Sequence, residues 1–548
     1  MNSKLAIGTG LAVGMYSIGA FTSKFVAGDN LGVVSGLSLA CYGGIFVILL
    51  LIWIEFRNGR LGRHLLGLIL LVQSMFAMLG YMTGGVGATS PNFGQFLGYF
   101  YQVGLLGQSS IQTLAHQSPE VGGWPAATAY YYTFLTITGL GTPAASTSVL
   151  VTWQLFSYLL DTILVFLIIR TTLEDSPYLA YAGALVYIFG DYLVYPEFLD
   201  VGFSYTLVLF TILLVFSLMK GAKKWRVAAM IIIPTVILTN FFASVVVLAI
   251  LIGYTLRTRK FEPLVIFAVV YVGWNAIGSP SMYTGYIQLL LTNIFNLRIL
   301  AHALVQGSSV GTANHHLIAL SQLGLALFFA TWTLFSLALI AGRHDRFLLV
   351  PVLQLLIFPL LIAGIALLIG PGFGVNQIES LERAFVFAFP FLLVIICASL
   401  KPNRIGLLIM VLLVITPFSI LTTYGGVTSS YITQVEIQGG LFLQDHEVGN
   451  TFVNLEPANF TAPLPAGSYQ FTMGEIQFVW SLVKLNASLI KTGAYPHDNR
   501  IVGSIGSFES RIFLIYTGSP IQYSNTESAI HDEFSVVYSS QTLEYFIL

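Results

Sequence analysis

The chain has 548 residues, of which 56% are hydrophobic and only 9% charged, with a mean hydropathy of +0.82 and a formal net charge of -1. Soluble domains carry about 25% charged residues, so this composition excludes an ordinary soluble protein and points to a polytopic membrane protein. It also excludes nucleic acid as a partner, because the chain has no basic tail or patch of the kind a phosphate backbone requires.

A bilayer core needs about 20 apolar residues per helix, and backbone facing lipid must satisfy its own hydrogen bonds. That rule predicts spans at 4–21, 33–55, 64–83, 148–170, 177–195, 201–219, 226–239, 241–256, 263–278, 317–341, 347–370, 384–400 and 404–423. The opening stretch has the apolar run of a signal peptide, but no small-residue cleavage site follows it. It is therefore read as a retained first span. The pair 226–239 and 241–256 is short, with Pro234 inside it and a tight Thr239-Asn240 link, and reads as a thin hairpin or one bent element. Cys41 and Cys397 both sit in apolar runs, which suggests packing rather than a disulfide framework or a metal cluster.

The distribution of cations orients these spans. Arg57, Arg60 and Arg63, then Arg170, then Lys220, Lys223, Lys224 and Arg226 occupy successive short loops. Arg257, Arg259 and Lys260, then Arg343 and Arg346, then Lys401 and Arg404 occupy the rest. With thirteen spans and a cytoplasmic N-terminus, all of these loops fall inside. The long loops 84–147 and 279–316, and everything after Tyr424, then fall outside. The expected localisation is a cell membrane, crossed many times, with the C-terminus extracytoplasmic.

The loop 84–147 contains no Lys or Arg at all. It closes on the stretch 119–140, PEVGGWPAATAYYYTFLTITGL, an aromatic amphipathic segment too interrupted for an ordinary span. Trp124 and Tyr130-Tyr131-Tyr132 fit a helix lying among lipid headgroups. The apolar segment 286–304 in the second long loop reads in the same way. Residues 425–548 are polar, rich in Ser, Thr, Asn and Gly, and carry alternating runs such as Arg511-Ile-Phe-Leu-Ile-Tyr. They are expected to form a small external domain that is β-rich or α+β. The sequons at Asn459 and Asn486 are compatible with an external face.

Charge at membrane depth is costly and usually functional, so ionisable residues on the outer side are the candidates. Glu120 is the one acidic residue of the first loop. It is either a general base acting on a hydroxyl acceptor or a solvated loop residue. Asp191, Glu197 and Asp200, in GDYLVYPEFLD, either line a polar cavity or anchor a helix end near the headgroups. Arg298, His302, His315 and His316 come from the second loop. For His315-His316 an interfacial pair is the better reading, since adjacent residues seldom converge on one metal. Arg383 either binds an anion through its guanidinium fork or pairs with Glu379 or Glu382. Asp161, inside the fourth span, reads as an interhelical polar contact.

A long first external loop followed by a Trp-Pro-led amphipathic segment ending in Thr-Gly-Leu resembles the GT-C superfamily of membrane glycosyltransferases. The nearest likeness is to archaeal mannosyltransferase and oligosaccharyltransferase-like members. The outer turn with Tyr195-Pro196-Glu197, the polar break Leu238-Thr-Asn-Phe-Phe-Ala-Ser, the late span opening Glu382-Arg383-Ala-Phe-Val-Phe-Ala-Phe-Pro390 and the closing Phe534-Ser-Val-Val-Tyr-Ser-Ser are similar to it as well. The likeness covers the chain from about residue 64 onward. It implies an all-α polytopic GT-C-like core; with the leading spans 4–55, which lie outside the pattern, the membrane domain is expected over 1–424 and the extracytoplasmic domain over 425–548. It also implies a polyprenyl-phosphate-linked sugar donor drawn from the membrane lipids, a protein or glycan acceptor, and an acid early in the first external loop. There this chain reads Ser90-Pro-Asn92-Phe-Gly-Gln95, which departs from the pattern because Asn and Gln cannot take a proton from an acceptor. Glu120 or Asp191 then takes the catalytic role, or the chain is a non-catalytic subunit that binds lipid-linked glycan or scaffolds a cell-envelope assembly. Arg383 and Arg298 are expected on the lipid phosphate, with His302, Glu197 and Trp124 as further substrate contacts. No cofactor is assigned; a divalent metal is compatible with the reaction, but carboxylates are too few to specify one.

Overall fold

The computed structural model describes residues 3–24, 32–81, 85–86, 143–173, 176–190, 200–222, 225–239, 241–277, 313–342, 377–401 and 404–424, together with short strands after Tyr424. Up to Tyr424 the described part is almost wholly α-helical, and its apolar helices are those of an all-α membrane protein. Its helices are α1 Ser3–Thr22, α2 Gly32–Gly36, α3 Leu39–Arg57, α4 Arg63–Met78 (continued by a 3-10 turn, Leu79–Tyr81), α5 Pro143–Thr172, α6 Pro177–Gly190 and α7 Asp200–Met219. They continue as α8 Arg226–Thr239, α9 Phe241–Thr258, α10 Glu262–Ile277, α11 Ala313–Gly342, α12 Gln377–Ser399 and α13 Ile405–Tyr424. Seven of these are long and apolar enough to cross a bilayer, and five shorter ones are apolar as well. Every predicted span falls on a helix except 347–370, which lies outside the described residues. The segment expected as one helix over 33–55 is broken. Ser38 caps α3 by accepting the Ala40 N–H at 3.4 Å, and its own N–H is donated to Ser23 Oγ at 2.9 Å.

Lipid is as apolar as leucine, so helices in a bilayer associate by close packing and polar contacts rather than by escape from water. Small residues supply the close packing here. On α1 and α3 a Cβ at Gly44 would lie 2.8 Å from the Ala12 carbonyl oxygen, and one at Gly19 would lie 2.6 Å from the backbone nitrogen of Cys41. The pairings Gly8 with Leu51, Ala12 with Gly44 and Gly19 with Cys41 run the two helices antiparallel. At the centre is α6, buried on every side from Leu179 to Gly190. It packs on α4, α5, α12 and α13. Gly183 admits Ile169 of α5 and Cys397 of α12, and Gly190 admits the Phe389 ring of α12. The outer helices keep apolar stripes at helical spacing: Val265, Val269 and Val272 on α10, and Leu320, Leu323, Leu327 and Leu334 on α11 are exposed. Such stripes are where lipid sits.

The cationic ends of the helices are closed by backbone rather than by side chains. After α3, Gly59 takes a left-handed conformation (φ 65°), the Gly59 N–H reaches the Phe56 carbonyl and the Arg60 N–H reaches the Glu55 carbonyl. This is the paired closure of a Schellman motif. Gly221 (φ 84°) repeats it after α7, with bonds to Leu218 and, from Ala222, to Ser217. After α9 the same position is held by Arg259 (φ 57°), a strained choice for a residue with a Cβ. In the polar part of the chain, β1 Gly85–Val86 pairs antiparallel with β2 Ile432–Thr433. The strands β3 Thr451–Leu455, β4 Ser481–Leu485, β5 Ile501–Ile505, β6 Ser535–Ser539 and β7 Glu544–Ile547 pair in the order β4-β3-β5-β7-β6.

Candidate functional site

Glu120, Trp124, Asp191, Glu197, Arg298 and His302 lie outside the described residues. Arg383, Glu379 and Glu382 fall on the backbone of α12, without described side chains, and His315 and His316 fall likewise on α11. What the described helices do fix is where the segments carrying these residues depart.

Three helix ends meet at one end of the bundle. The last carbonyls of a helix have no partner within it and need one supplied, most of all in lipid. Near the end of α4, the Phe76 carbonyl accepts the Tyr424 hydroxyl of α13, and the Met75 carbonyl accepts the Tyr16 hydroxyl of α1. At the end of α6, the Phe189 carbonyl accepts the Ser419 hydroxyl of α13 at 2.5 Å. The Phe76 and Phe189 rings meet edge to face with centroids 5.3 Å apart. Helices α4, α6 and α13 therefore finish side by side. The chain leaves them there into 84–147, into 191–199 and into the segment after Tyr424. Helix α12 runs the other way against α6, with Phe389 against Tyr187 and Gly190, and Leu400 accepting the Tyr178 hydroxyl at 3.2 Å. Arg383 is six residues before Phe389, about 9 Å further along the axis toward that same end.

Below this end lies a run of buried polar side chains on α5. Gln154, Ser157 and Asp161 are 3%, 3% and 1% exposed, at the i, i+3, i+7 spacing of one helix face. The Gln154 side-chain carbonyl accepts the Tyr81 hydroxyl from the turn after α4, while its amide nitrogen has no partner among the described residues. Asp161 is hydrogen-bonded to the Thr206 hydroxyl of α7, and its Oδ1 has no partner among the described residues. Asp161 is thus an interhelical polar contact with one oxygen left over. At the opposite end of the bundle the other buried acid among the described residues, Glu55 of α3, is paired. His64 Nε2 lies 2.8 Å from it and Arg60 3.7 Å. Beside it the Arg57 guanidinium stands 5.5 Å from the Trp53 ring centroid.

The described residues contain no group of three or more His, Cys, Asp or Glu side chains placed to hold a metal ion. Cys41 and Cys397 are buried free thiols packed between helices. Sequence reasoning singled out the charged residues at helix ends but not Gln154, Ser157 or Tyr81. The signal for the first two was present, since Gln154 and Ser157 share the heptad-spaced face of Asp161. Comparison with known proteins adds no relative: no protein-family model, curated protein or solved structure matches this chain.

Proposed function

We propose that this chain transfers a sugar from a polyprenyl-phosphate-linked donor to a protein or glycan acceptor on the extracytoplasmic face of the membrane. In this reading the chain crosses the bilayer thirteen times, from a cytoplasmic N-terminus to a small extracytoplasmic C-terminal domain over 425–548. The observation that carries the proposal is the convergence at one end of the bundle. The loop with Glu120, the segment with Asp191 and Glu197, and the Arg383 turn of α12 all depart from or lie toward the end marked by Phe76, Phe189 and Tyr424. That end is remote from the cationic turns, as the positive-inside rule requires of an external face. The likeness of the sequence to GT-C enzymes supplies the reaction.

In the proposed reaction Glu120, or Asp191 in its place, takes the proton of the acceptor hydroxyl as that oxygen attacks the anomeric carbon. The bond from that carbon to the phosphate oxygen breaks with inversion, and the electron pair leaves with the lipid phosphate. Arg383, with Arg298, stabilises the negative charge that collects there. His302, Glu197 and Trp124 complete the contacts to sugar and carrier. A second reading rests on one specific observation, the absence of any acid in the first loop before Glu120. On that reading the chain is a non-catalytic subunit that binds lipid-linked glycan. Sugar transfer by membranes containing the parent, Glu120→Gln or Asp191→Asn chain separates the two. Loss of transfer in one variant at unchanged expression supports the enzyme and names its base. Absence of transfer by the parent, with retained binding of the lipid carrier, supports the subunit.

A further inference from the structure

The buried face of α5 is polar over one half of its length and apolar over the other. From Gln154 through Ser157 to Asp161 it carries an amide, a hydroxyl and a carboxyl, with Tyr158 and Thr162 beside them. Beyond Asp161 the same face continues as Leu164, Val165, Ile168 and Ile169, all buried and all aliphatic, down to Arg170. Asp161 is nine residues from Arg170, about 13.5 Å along the helix axis. Thr206, its partner on α7, is fourteen residues from Lys220, about 21 Å. The two rulers bracket the midplane of a core about 30 Å thick. Gln154 stands about 10.5 Å from Asp161 toward the Tyr81 end.

Buried polar atoms are nearly always satisfied, by protein or by ordered water. Here Asp161 Oδ1 and Gln154 Nε2 on α5, and Gln73 Oε1 on α4 packed against it, have no hydrogen-bond partner among the described residues. No described cation neutralises Asp161. The helices packed on α5 carry along their length, as titratable groups, the tyrosines Tyr181, Tyr187 and Tyr205 and the thiol Cys397; Tyr81 follows α4, Tyr178 opens α6, Asp200 opens α7, Glu379, Glu382 and Arg383 lie in the first turns of α12, and Arg63 and His64 lie at the far end of α4. A mid-membrane carboxyl in that setting is a functional feature or a large cost.

We infer that this stripe is a hydrated half-path, open toward the Tyr81 end and closed toward Arg170, which gives Asp161 a proton-exchange route to one side of the membrane. Ordered water bridges the unpartnered amide of Gln154 and the unpartnered oxygen of Asp161, passing Ser157. When Asp161 gives up its proton, the carboxyl O–H bond breaks, the proton passes to the adjacent water and the electron pair stays on the carboxylate. The aliphatic stretch from Leu164 to Ile169 offers no polar group to carry the proton onward. The ligand of this site is therefore water with an exchangeable proton, and the inference stands independently of the sugar-transfer reading.

Two measurements test it. In sealed cells, a small membrane-impermeant cationic methanethiosulfonate should label Ser157→Cys and Gln154→Cys from outside but leave Leu164→Cys unlabelled. Ser157→Cys remaining as unreactive as Leu164→Cys, with the protein folded, overturns the path. The second uses the unsubstituted protein in oriented vesicles. A hydrophobic carbodiimide, which reacts with protonated carboxyls in lipid, is followed by mass spectrometry of the peptide containing Asp161. Labelling should decline as pH is raised on the Tyr81 side and ignore pH on the Arg170 side. Labelling that is absent, independent of pH, or governed by the Arg170 side overturns the proton exchange.

Discussion

Replacing Gly19 by alanine adds one methyl group at the tightest point between α1 and α3. A Cβ there would lie 2.6 Å from the backbone nitrogen of Cys41 and 3.0 Å from its Cα, with Sγ closer still. The struck nitrogen belongs to the first turn of α3 and donates to the Ser38 carbonyl at 3.0 Å, so it cannot yield without moving the helix. Overpacking of this kind costs about 1–3 kcal/mol, while alanine in a helix recovers about 1 kcal/mol over glycine. The expected net loss reaches about 2 kcal/mol, more than a tenfold fall in the folded-to-unfolded ratio. Gly183 is the internal control. Its added Cβ would meet the terminal Cδ1 of Ile169 and, at 2.8 Å, Cys397 Sγ, both ends of side chains rather than backbone. Double-mutant cycles measured by reversible unfolding in mixed micelles should therefore differ. Ile169→Val recovers much of the Gly183→Ala loss, whereas Cys41→Ala recovers little of the Gly19→Ala loss. A Gly19→Ala protein as stable as the parent, or one fully restored by Cys41→Ala, refutes the reasoning.

Other consequences are smaller but as definite. Tyr424→Phe leaves the Phe76 carbonyl without its interhelical donor and should cost about 0.6 kcal/mol, the average for hydrogen bonds between membrane helices, and no more than about 1.7 kcal/mol; the same micelle unfolding assay reads it. His64→Ala takes from the buried Glu55 its 2.8 Å partner and should lower stability by about 1–3 kcal/mol. Arg60→Ala, whose side chain is 51% exposed, should cost less than about 1 kcal/mol, so equal losses in the two variants would disprove the assignment. Arg259→Gly relieves a left-handed residue and should raise the unfolding midpoint, with a gain of about 0.5–1 kcal/mol.

The helices were legible because each is a long apolar run bounded by cations or turns, and a bilayer leaves such a run few alternatives to a helix. The break at Ser38 was not, since a single hydroxyl between Leu37 and Leu39 interrupts the backbone without interrupting hydropathy. Asp161 stood out as an acid inside a span, but its partner could not be read, because Thr206 is 45 residues further along and on another helix. The contacts of Tyr424 with Phe76 and of Ser419 with Phe189 were invisible for the same reason. Hydropathy records that a segment is apolar, not which helix end its hydroxyl reaches. The close approaches at Gly19 and Gly183 depend on the packing partner, and glycine in an apolar run carries no mark of one. The candidate acids Glu120 and Asp191 rest on sequence alone, being outside the described residues.

Sugar transfer is followed in sealed vesicles of known orientation. They are supplied with a labelled sugar on a polyprenyl-phosphate carrier, and label is followed into the acceptor fraction by parent and Arg383→Gln proteins. Transfer is expected at the face bearing the loop 84–147, with Arg383→Gln impaired more in turnover than in carrier binding if, as proposed, the guanidinium meets charge that develops as the bond breaks. Transfer confined to the opposite face, or no transfer at either face with any carrier, contradicts the proposal.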